Sequence, residues 1–444
     1  MPDVSKPAIT GNDTNTRITT VTSLSHDGRG VGRVDDKVVF IEGSLPGEQV
    51  MFRYLKRRRQ YDTGKLLEIV SPSRHRVVPP CEYFGVCGGC ALQHLHHDAQ
   101  IHVKEQILRD HFAKFGRLVP ETWRPPLTGD SFHYRRKARL GVRHVAKKGG
   151  VLVGFREKAS RYIADMSSCL TLDRRFSDLL PALRELVMAL SCPDRVPQIE
   201  VAAGDDEIAL VLRHLVPLTD DDEQTLITFG RQAGAQIYLQ PKGPDSIRCL
   251  WPENDAGLSY RLPEFNVELF FRPVDFIQVN AGMNRRMVSL ALDLLDVQQD
   301  DAVLDLFCGL GNFTLPLARR AGRVTAIEAS HDLLDRARDN ARYNGIDNVE
   351  FKRADLYQPL PELPQQGFNK MLIDPPRDGA MEVVKHLTAT GPEVILYVSC
   401  NPVTLARDSE VLVNVKGYRL MTAGVMDMFP HTCHVESIAL FRKP

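Results

Sequence analysis

The chain has no uninterrupted apolar run of about 18 residues, the length a membrane-spanning helix needs, so no span is expected. Residues 1–11 are polar and lack the apolar stretch of a secretory signal. Neither sign of charge is in excess: 56 Lys and Arg stand against 56 Asp and Glu, a formal net charge of +0. No global basic field draws in a polyanion, and any nucleic-acid contact must come from local patches. Gly-x-Gly-x-x-Gly is missing, and so is a phosphate-binding lysine beside the glycines near residue 310. That disfavours a dinucleotide or a nucleoside triphosphate.

What is there begins with length. The 444 residues suit roughly two to four domains. With 43% hydrophobic and 25% charged residues, the composition is that of an ordinary soluble globular protein. Nine cysteines without an export signal point to thiols, a metal or a cluster rather than disulfides, and to a cytoplasmic protein. Residues 1–16 are polar and are expected to form a disordered tail. Residues 17–76 carry five short β-prone runs, at 18–24, 30–34, 37–41, 48–54 and 63–69, with turn signals between them. Five such strands suit a small OB-like barrel. Arg53, Lys56, Arg57, Arg58, Arg59 and Lys65 form the densest basic run. Charge runs are usually solvated loops, but beside Tyr54 and Tyr61 on a barrel this one reads as an RNA-backbone contact.

Residues 77–271 read as a mixed α+β domain built round a cysteine cluster. Five residues separate Cys81 from Cys87 and two separate Cys87 from Cys90, and Cys169 lies far off in sequence. Gly85, Gly88 and Gly89 let the backbone turn its amides towards sulfur. Four thiolates fit a 4Fe–4S cluster or a structural zinc. Zinc sites more often pair two Cys-x₂-Cys knuckles, and only one is present, so iron–sulfur is favoured. His94, His96 and His97 read as surface or RNA-facing side chains. Residues 100–115 have helical spacing. Residues 134–143 alternate basic and apolar, which predicts several positive side chains on one sheet face. A helix over 173–191 and strands at 199–203, 208–213, 237–239 and 267–271 complete a mixed sheet. Cys192 and Cys249 read as structural.

Residues 272–444 alternate strands and helices, as a doubly wound parallel sheet does. A helix is expected over 280–295. Gly309 and Gly311 allow a tight strand-to-helix turn against a ligand, and Glu328, 17 residues after Gly311, ends the next strand where it can accept from ribose hydroxyls. Asp355 ends a third strand and can meet an adenine amino group. Two further strands end at the lip of the sheet: residues 370–376 (KMLIDPP) on Asp374, and 395–402 (ILYVSCNP) on Cys400. Ligands of open α/β sheets sit at that lip. A free cysteine is most often a small buried hydrophobe, but Cys400 at a strand end reads as a nucleophile.

The motifs Asp305-Leu-Phe-Cys-Gly-Leu-Gly-Asn-Phe, Asp374-Pro-Pro-Arg and Ser399-Cys-Asn-Pro, in that order, resemble the uracil-C5 RNA methyltransferases. The resemblance runs from about Ile18 to the C-terminus. The barrel, which would be a TRAM domain, and the cysteines resemble the 23S ribosomal RNA branch rather than the tRNA branch. The resemblance implies S-adenosylmethionine as cofactor, a Rossmann-like methyltransferase domain, and Cys81, Cys87, Cys90 and Cys169 as ligands of a 4Fe–4S cluster. It implies Gln278, Phe307, Asn312, Glu328, Asp355 and Asp374 around the cofactor. Cys400 becomes the nucleophile and Glu436 the base that removes the C5 proton, with Phe276 stacking on the flipped uracil. The implied partner is 23S rRNA, at position 1939, with no DNA and no membrane; a monomer is expected. Alternatives are a tRNA uracil-C5 methyltransferase and an amino-group methyltransferase, although Arg377 follows Asp-Pro-Pro where the latter carry an aromatic. A third is a non-catalytic iron–sulfur RNA-binding factor.

Overall fold

The computed structural model describes residues 15–254, 257–358 and 367–444. Most of the expected tail, residues 1–14, lies outside them. By contact the chain divides into two units: the chain up to Pro80 with Ala91–Val103, and Cys81–Cys90 with Lys104–Pro444.

In the first unit, strands Thr16–Leu24, Gly30–Val34, Lys37–Glu42, Gln49–Arg57 and Tyr61–Ser71 close into a barrel. The first strand pairs with both the second and the fourth, so the barrel has no free edge. Val21, Val39, Ile41, Val50 and Phe52 fill it. Gly64 is required there, because a Cβ would sit 2.3 Å from the Phe52 ring. Arg53, Lys56, Arg57, Arg58, Arg59 and Lys65 are exposed, with the Arg57 guanidinium 4.1 Å above the Tyr54 ring and that of Arg58 5.5 Å from Tyr61. Glu48, buried, receives Arg76 through bonds of 2.6 and 2.9 Å. His94 is 3% exposed, which corrects its reading as a surface side chain.

The second unit contains a six-stranded mixed sheet in the order Arg248–Trp251, Ala235–Gln240, Ile208–Arg213, Gln198–Ala203, Lys137–Val145, Gly150–Gly154. Helices Leu180–Ala189 and Asp220–Ala233 cover one face with Leu183, Val187 and Leu226. The single helix expected over 173–191 is two, Arg174–Ser177 and Leu180–Ala189. Val267–Phe271 does not join this sheet. It pairs with Leu258–Leu262 as a separate hairpin whose apolar face enters the larger core.

That larger core lies against an eight-stranded sheet, ordered Val349–Arg353, Arg323–Glu328, Ala302–Leu306, Lys370–Ile373, Val394–Ser399, Glu436–Arg442, Arg419–Met426, Thr122–Trp123. The first five run parallel, and Glu436–Arg442 is antiparallel to both its neighbours. Strand order reverses beside Ala302–Leu306, whose neighbours lead off in opposite directions. A switch point of this kind opens a crevice at the carboxyl ends of the strands. Among the described residues, no helix is long and apolar enough to cross a membrane.

Candidate active site

A cavity of about 600 Å³ opens at that switch point, lined by Gln278, Phe307, Asn312, Glu328, Asp355, Asp374, Cys400 and Glu436 among others. Sequence positions spread over more than 150 residues thus meet in one crevice.

The turn after Ala302–Leu306 forms its floor. Phe307 has φ 62°, Gly309 55° and Gly311 102°. A left-handed phenylalanine costs about 1–3 kcal/mol and persists where surroundings enforce it. The turn delivers the Gly309 N–H to Glu328 Oε2 at 3.1 Å, while the Ser330 N–H reaches Oε1 at 2.9 Å. Each carboxylate oxygen keeps a lone pair for a ligand. Asn312 and Asn284 exchange two amide hydrogen bonds, 2.8 and 2.9 Å, and the Tyr260 hydroxyl donates to Asn312 Oδ1 at 2.9 Å. Behind the turn, Asp305 is held by the Thr314 hydroxyl at 2.6 Å, and burial pushes its carboxyl up to about 7.

The opposite wall carries the nucleophile candidate. The strand Val394–Ser399 stops because Asn401 caps the helix Pro402–Glu410, its Oδ1 accepting the Val403 N–H at 3.1 Å, and Pro402 suits a first helical position. Cys400 is left in the turn between strand and cap. Asn401 Nδ2 also donates to the Arg377 carbonyl at 2.9 Å, which ties the Asp374-Pro-Pro-Arg segment to the same turn. Ser437 Oγ donates to Ser399 O at 3.0 Å across the ladder that brings in Glu436.

The electrostatics are acidic and desolvated. Burial pushes the Cys400 thiol up to about 11, the charges of Glu436 and Asp374 add to this, and Arg377 opposes it. Burial raises Asp374 to about 7. Glu436, 2% exposed, is pushed well above the carboxylate range by burial and by Asp374, against Arg377. Arg377 is the cation that opposes both shifts, and it was not legible as such in the sequence. It lies 3.2 Å from His434 Nδ1, and burial and this guanidinium depress His434 to about 4, so the ring is a neutral acceptor. Tyr357, 5.7 Å from the Phe307 ring, and Phe429 are further wall residues without a sequence signal. Phe276 reaches the cavity while 71% exposed. Carboxyls on both walls suit a cationic ligand such as a sulfonium with an ammonium group.

Cys81, Cys87, Cys90 and Cys169 belong to the second unit, and none of the four is in a disulfide. Cys87 and Cys169 are buried. The Gly89 N–H reaches Cys87 Sγ at 3.4 Å, and Thr171 Oγ1 lies 3.4 Å from Cys169 Sγ. Burial raises both Cys81 and Cys87, and each also feels Cys169. Among the described residues no three His, Cys, Asp or Glu side chains converge as ligands of a single metal ion.

Comparison with known proteins gives a consistent result. The family described as tRNA (Uracil-5-)-methyltransferase matches residues 96–357, and a TRAM domain matches residues 17–67. The proteins named 23S rRNA (uracil(1939)-C(5))-methyltransferase RlmD from Alcanivorax borkumensis and Alkalilimnicola ehrlichii are 50% and 51% identical to the chain. Each comparison covers 95% of this chain and 96% of the relative. Among solved structures, the Pyrococcus abyssi tRNA (uracil-54, C5)-methyltransferase in complex with S-adenosyl-L-homocysteine is 26% identical. It superposes with a TM-score of 0.74 over 96% of this chain and 100% of that one. The chain belongs to the RNA uracil-C5 methyltransferase family.

Proposed function

We propose that the chain methylates C5 of a uracil in 23S rRNA, at the position equivalent to 1939, with S-adenosylmethionine as methyl donor. The observation that carries the reading is the meeting of Cys400 and Glu436 on one rim of the acidic cavity. The bacterial relatives at about half identity favour 23S rRNA over tRNA.

Uracil C5 is a poor nucleophile. The Cys400 thiolate adds to C6, forming an S–C6 bond and moving the C5–C6 electron pair into an enolate. When bound, the cofactor supplies an electrophilic methyl group and a positive charge. C5 then forms its bond to the methyl carbon as the methyl–sulfonium bond breaks, the electron pair of that bond staying on sulfur. Glu436, as carboxylate, takes the C5 proton; that electron pair restores the C5–C6 double bond, and the S–C6 bond breaks to release the thiolate. Arg377 favours the anionic forms of both groups. Gln278, Phe307, Asn312, Glu328, Asp355 and Asp374 would hold the cofactor, Glu328 through ribose hydroxyls. Phe276, exposed at the mouth, would stack on the extruded uracil. DNA is a poor substrate, since thymine already carries the C5 methyl group.

Cys81, Cys87, Cys90 and Cys169 would bind a 4Fe–4S cluster. The donor set is all sulfur, with a backbone N–H on Cys87, as cluster thiolates require. The working division is a TRAM barrel over 17–76, a cluster-bearing RNA-binding region over 77–271 and a methyltransferase domain over 272–444. The protein would act in the cytoplasm as a monomer.

The test is incubation of purified protein with labelled S-adenosylmethionine and either 23S rRNA or tRNA, followed by mapping of 5-methyluridine. Label at position 1939 supports the reading. Label in tRNA alone transfers the activity to the other branch, and label in neither leaves only RNA binding.

A further inference from the structure

A second cavity in the same unit, of about 380 Å³, shares no lining residue with the first. Its wall includes Arg136, which is 3% exposed. Arg136 Nε donates to the Gln278 carbonyl at 3.0 Å, and the guanidinium carbon lies 4.5 Å from the Tyr260 ring centre. Among the described residues, Nη1 and Nη2 have no hydrogen-bond partner. A guanidinium carries five donors, and burying it unpaired is costly. Of the three carboxylates that line the cavity, Asp130 is exposed and the other two are already engaged. Asp205 Oδ2 takes Arg285 at 2.8 Å and the Arg261 N–H at 2.9 Å, while Asp173 takes Arg175 at 2.8 and 3.0 Å.

A second feature meets this one. The helix Ala281–Leu295 begins on the same wall, with Ala281 and Gly282 in its first turn. Asn280 caps it by accepting the Met283 N–H at 3.0 Å. First-turn N–H groups have no partner within the helix and attract anions. Two parallel guanidinium donors beside a helix N-terminus match the oxygens of a phosphate.

We infer that this cavity binds one backbone phosphate of the RNA substrate, on Nη1 and Nη2 of Arg136 and the first turn of Ala281–Leu295. The inference rests on the RNA reading above. Its consequence is positional: Arg136 also holds the Gln278 carbonyl, so the anchored phosphate lies one side chain away from the wall of the cofactor cavity.

The test is equilibrium binding of a short RNA containing the target uridine to the full chain with S-adenosylhomocysteine, where no methyl transfer is needed. Single methylphosphonates, which lack the charge, are scanned along the RNA. One position is expected to weaken wild-type binding about tenfold to a hundredfold, the worth of a charged hydrogen-bonded contact. Arg136→Gln should weaken the unmodified RNA by a similar factor and no longer sense that methylphosphonate. Because Arg136→Gln could disturb folding, Gly282→Asp is the second variant. A Cβ there meets nothing closer than Asn280 Oδ1 at 3.8 Å, and an acidic residue suits a first turn. It should keep S-adenosylhomocysteine affinity and repel the phosphate. If every methylphosphonate acts equally on wild type and Gly282→Asp, the site is not an RNA-phosphate site. Binding of inorganic phosphate at constant ionic strength, without that coupling, would reassign it to a free anion and overturn the inference. Failure of wild-type protein to methylate RNA would instead sink the functional reading.

Discussion

One step beyond the Ser399–Ser437 pair, the antiparallel ladder sets Cys400 beside Glu436. Glu436 is buried and Cys400 half-buried; the Glu436 charge adds to the rise of the thiol, and Arg377 opposes the shift of both groups. A nucleophile just past the end of one strand and a base at the start of the adjacent one can act in sequence on neighbouring atoms of a flat ring, C6 and then C5.

The two residues should therefore fail at different steps. Cys400→Ala should form no covalent RNA adduct and transfer no methyl group. Glu436→Gln should still transfer the methyl and then accumulate a methylated protein–RNA adduct that survives denaturing electrophoresis. Glutamine mimics the neutral carboxyl that burial already favours, so this variant should fold normally. Near wild-type turnover by Glu436→Gln would make Asp374 the next candidate base.

The raised thiol gives a pH prediction. Below a thiol pKa of about 11 the thiolate fraction grows about tenfold per pH unit. Alkylation of Cys400 in the free protein, followed site by site by mass spectrometry, should accelerate steadily from pH 7 to 9. Arg377→Met removes the opposing cation and should move the whole profile to higher pH. A flat profile over this range would mean that the thiolate is already formed.

The exposed barrel arginines should act through phosphates. Replacing Arg57, Arg58 and Arg59 by alanine should weaken RNA binding and flatten its salt dependence by about one unit of slope per lost contact, without changing cofactor affinity. An unchanged slope would return the run to a solvated loop.

Asp222 offers a test of acid stability. Burial pushes its carboxyl up, but the Ser191 N–H (2.7 Å), the Ser191 hydroxyl (2.6 Å) and the Thr219 N–H (3.0 Å) outweigh this and bring it to about 2. The folded value lies below the ordinary one of about 3.9, so its stabilisation is full above that pH and fades as pH falls towards 2. Asp222→Ala should cost about 1–3 kcal/mol near neutrality. Denaturation curves of Asp222→Asn should lose part of the wild-type decline between pH 4 and 2; an identical decline would exclude this carboxyl.

Protein purified without oxygen should carry iron and sulfide and absorb broadly in the visible. Cys169→Ser should destabilise the middle region, because as a cluster ligand Cys169 would join a segment distant in sequence to Cys81–Cys90. Equimolar zinc without iron would refute the cluster.

The sequence carried the barrel in its glycine-broken β runs, and the crevice in strands that end on Asp374 and Cys400. Both signals are local: a buried strand is apolar throughout, and Pro or Asn-Pro ends it. Long-range facts were not legible. Val267–Phe271 has strand composition, but nothing in it names Leu258–Leu262 as partner. The 173–191 stretch has one helical period, yet it breaks near Asp178 and Leu179. Basic–apolar alternation over 134–143 implied exposed charge. Arg139 fits, with 71% of its side chain exposed, whereas Arg136 precedes the strand and turns inward. Arg377 followed a motif without any sign that two anions would converge on it.

The place of Glu436–Arg442 in the sheet has a consequence for synthesis. This strand lies between Val394–Ser399 and Arg419–Met426, though it is made after both. Until it emerges from the ribosome, Val394–Ser399 presents an unpaired edge of six buried-type residues, VILYVS, and Cys400 lacks its acidic neighbour. Such an edge invites pairing with other chains. The nascent protein therefore passes through a stage that is both inactive and prone to aggregate, and one late strand ends both conditions together.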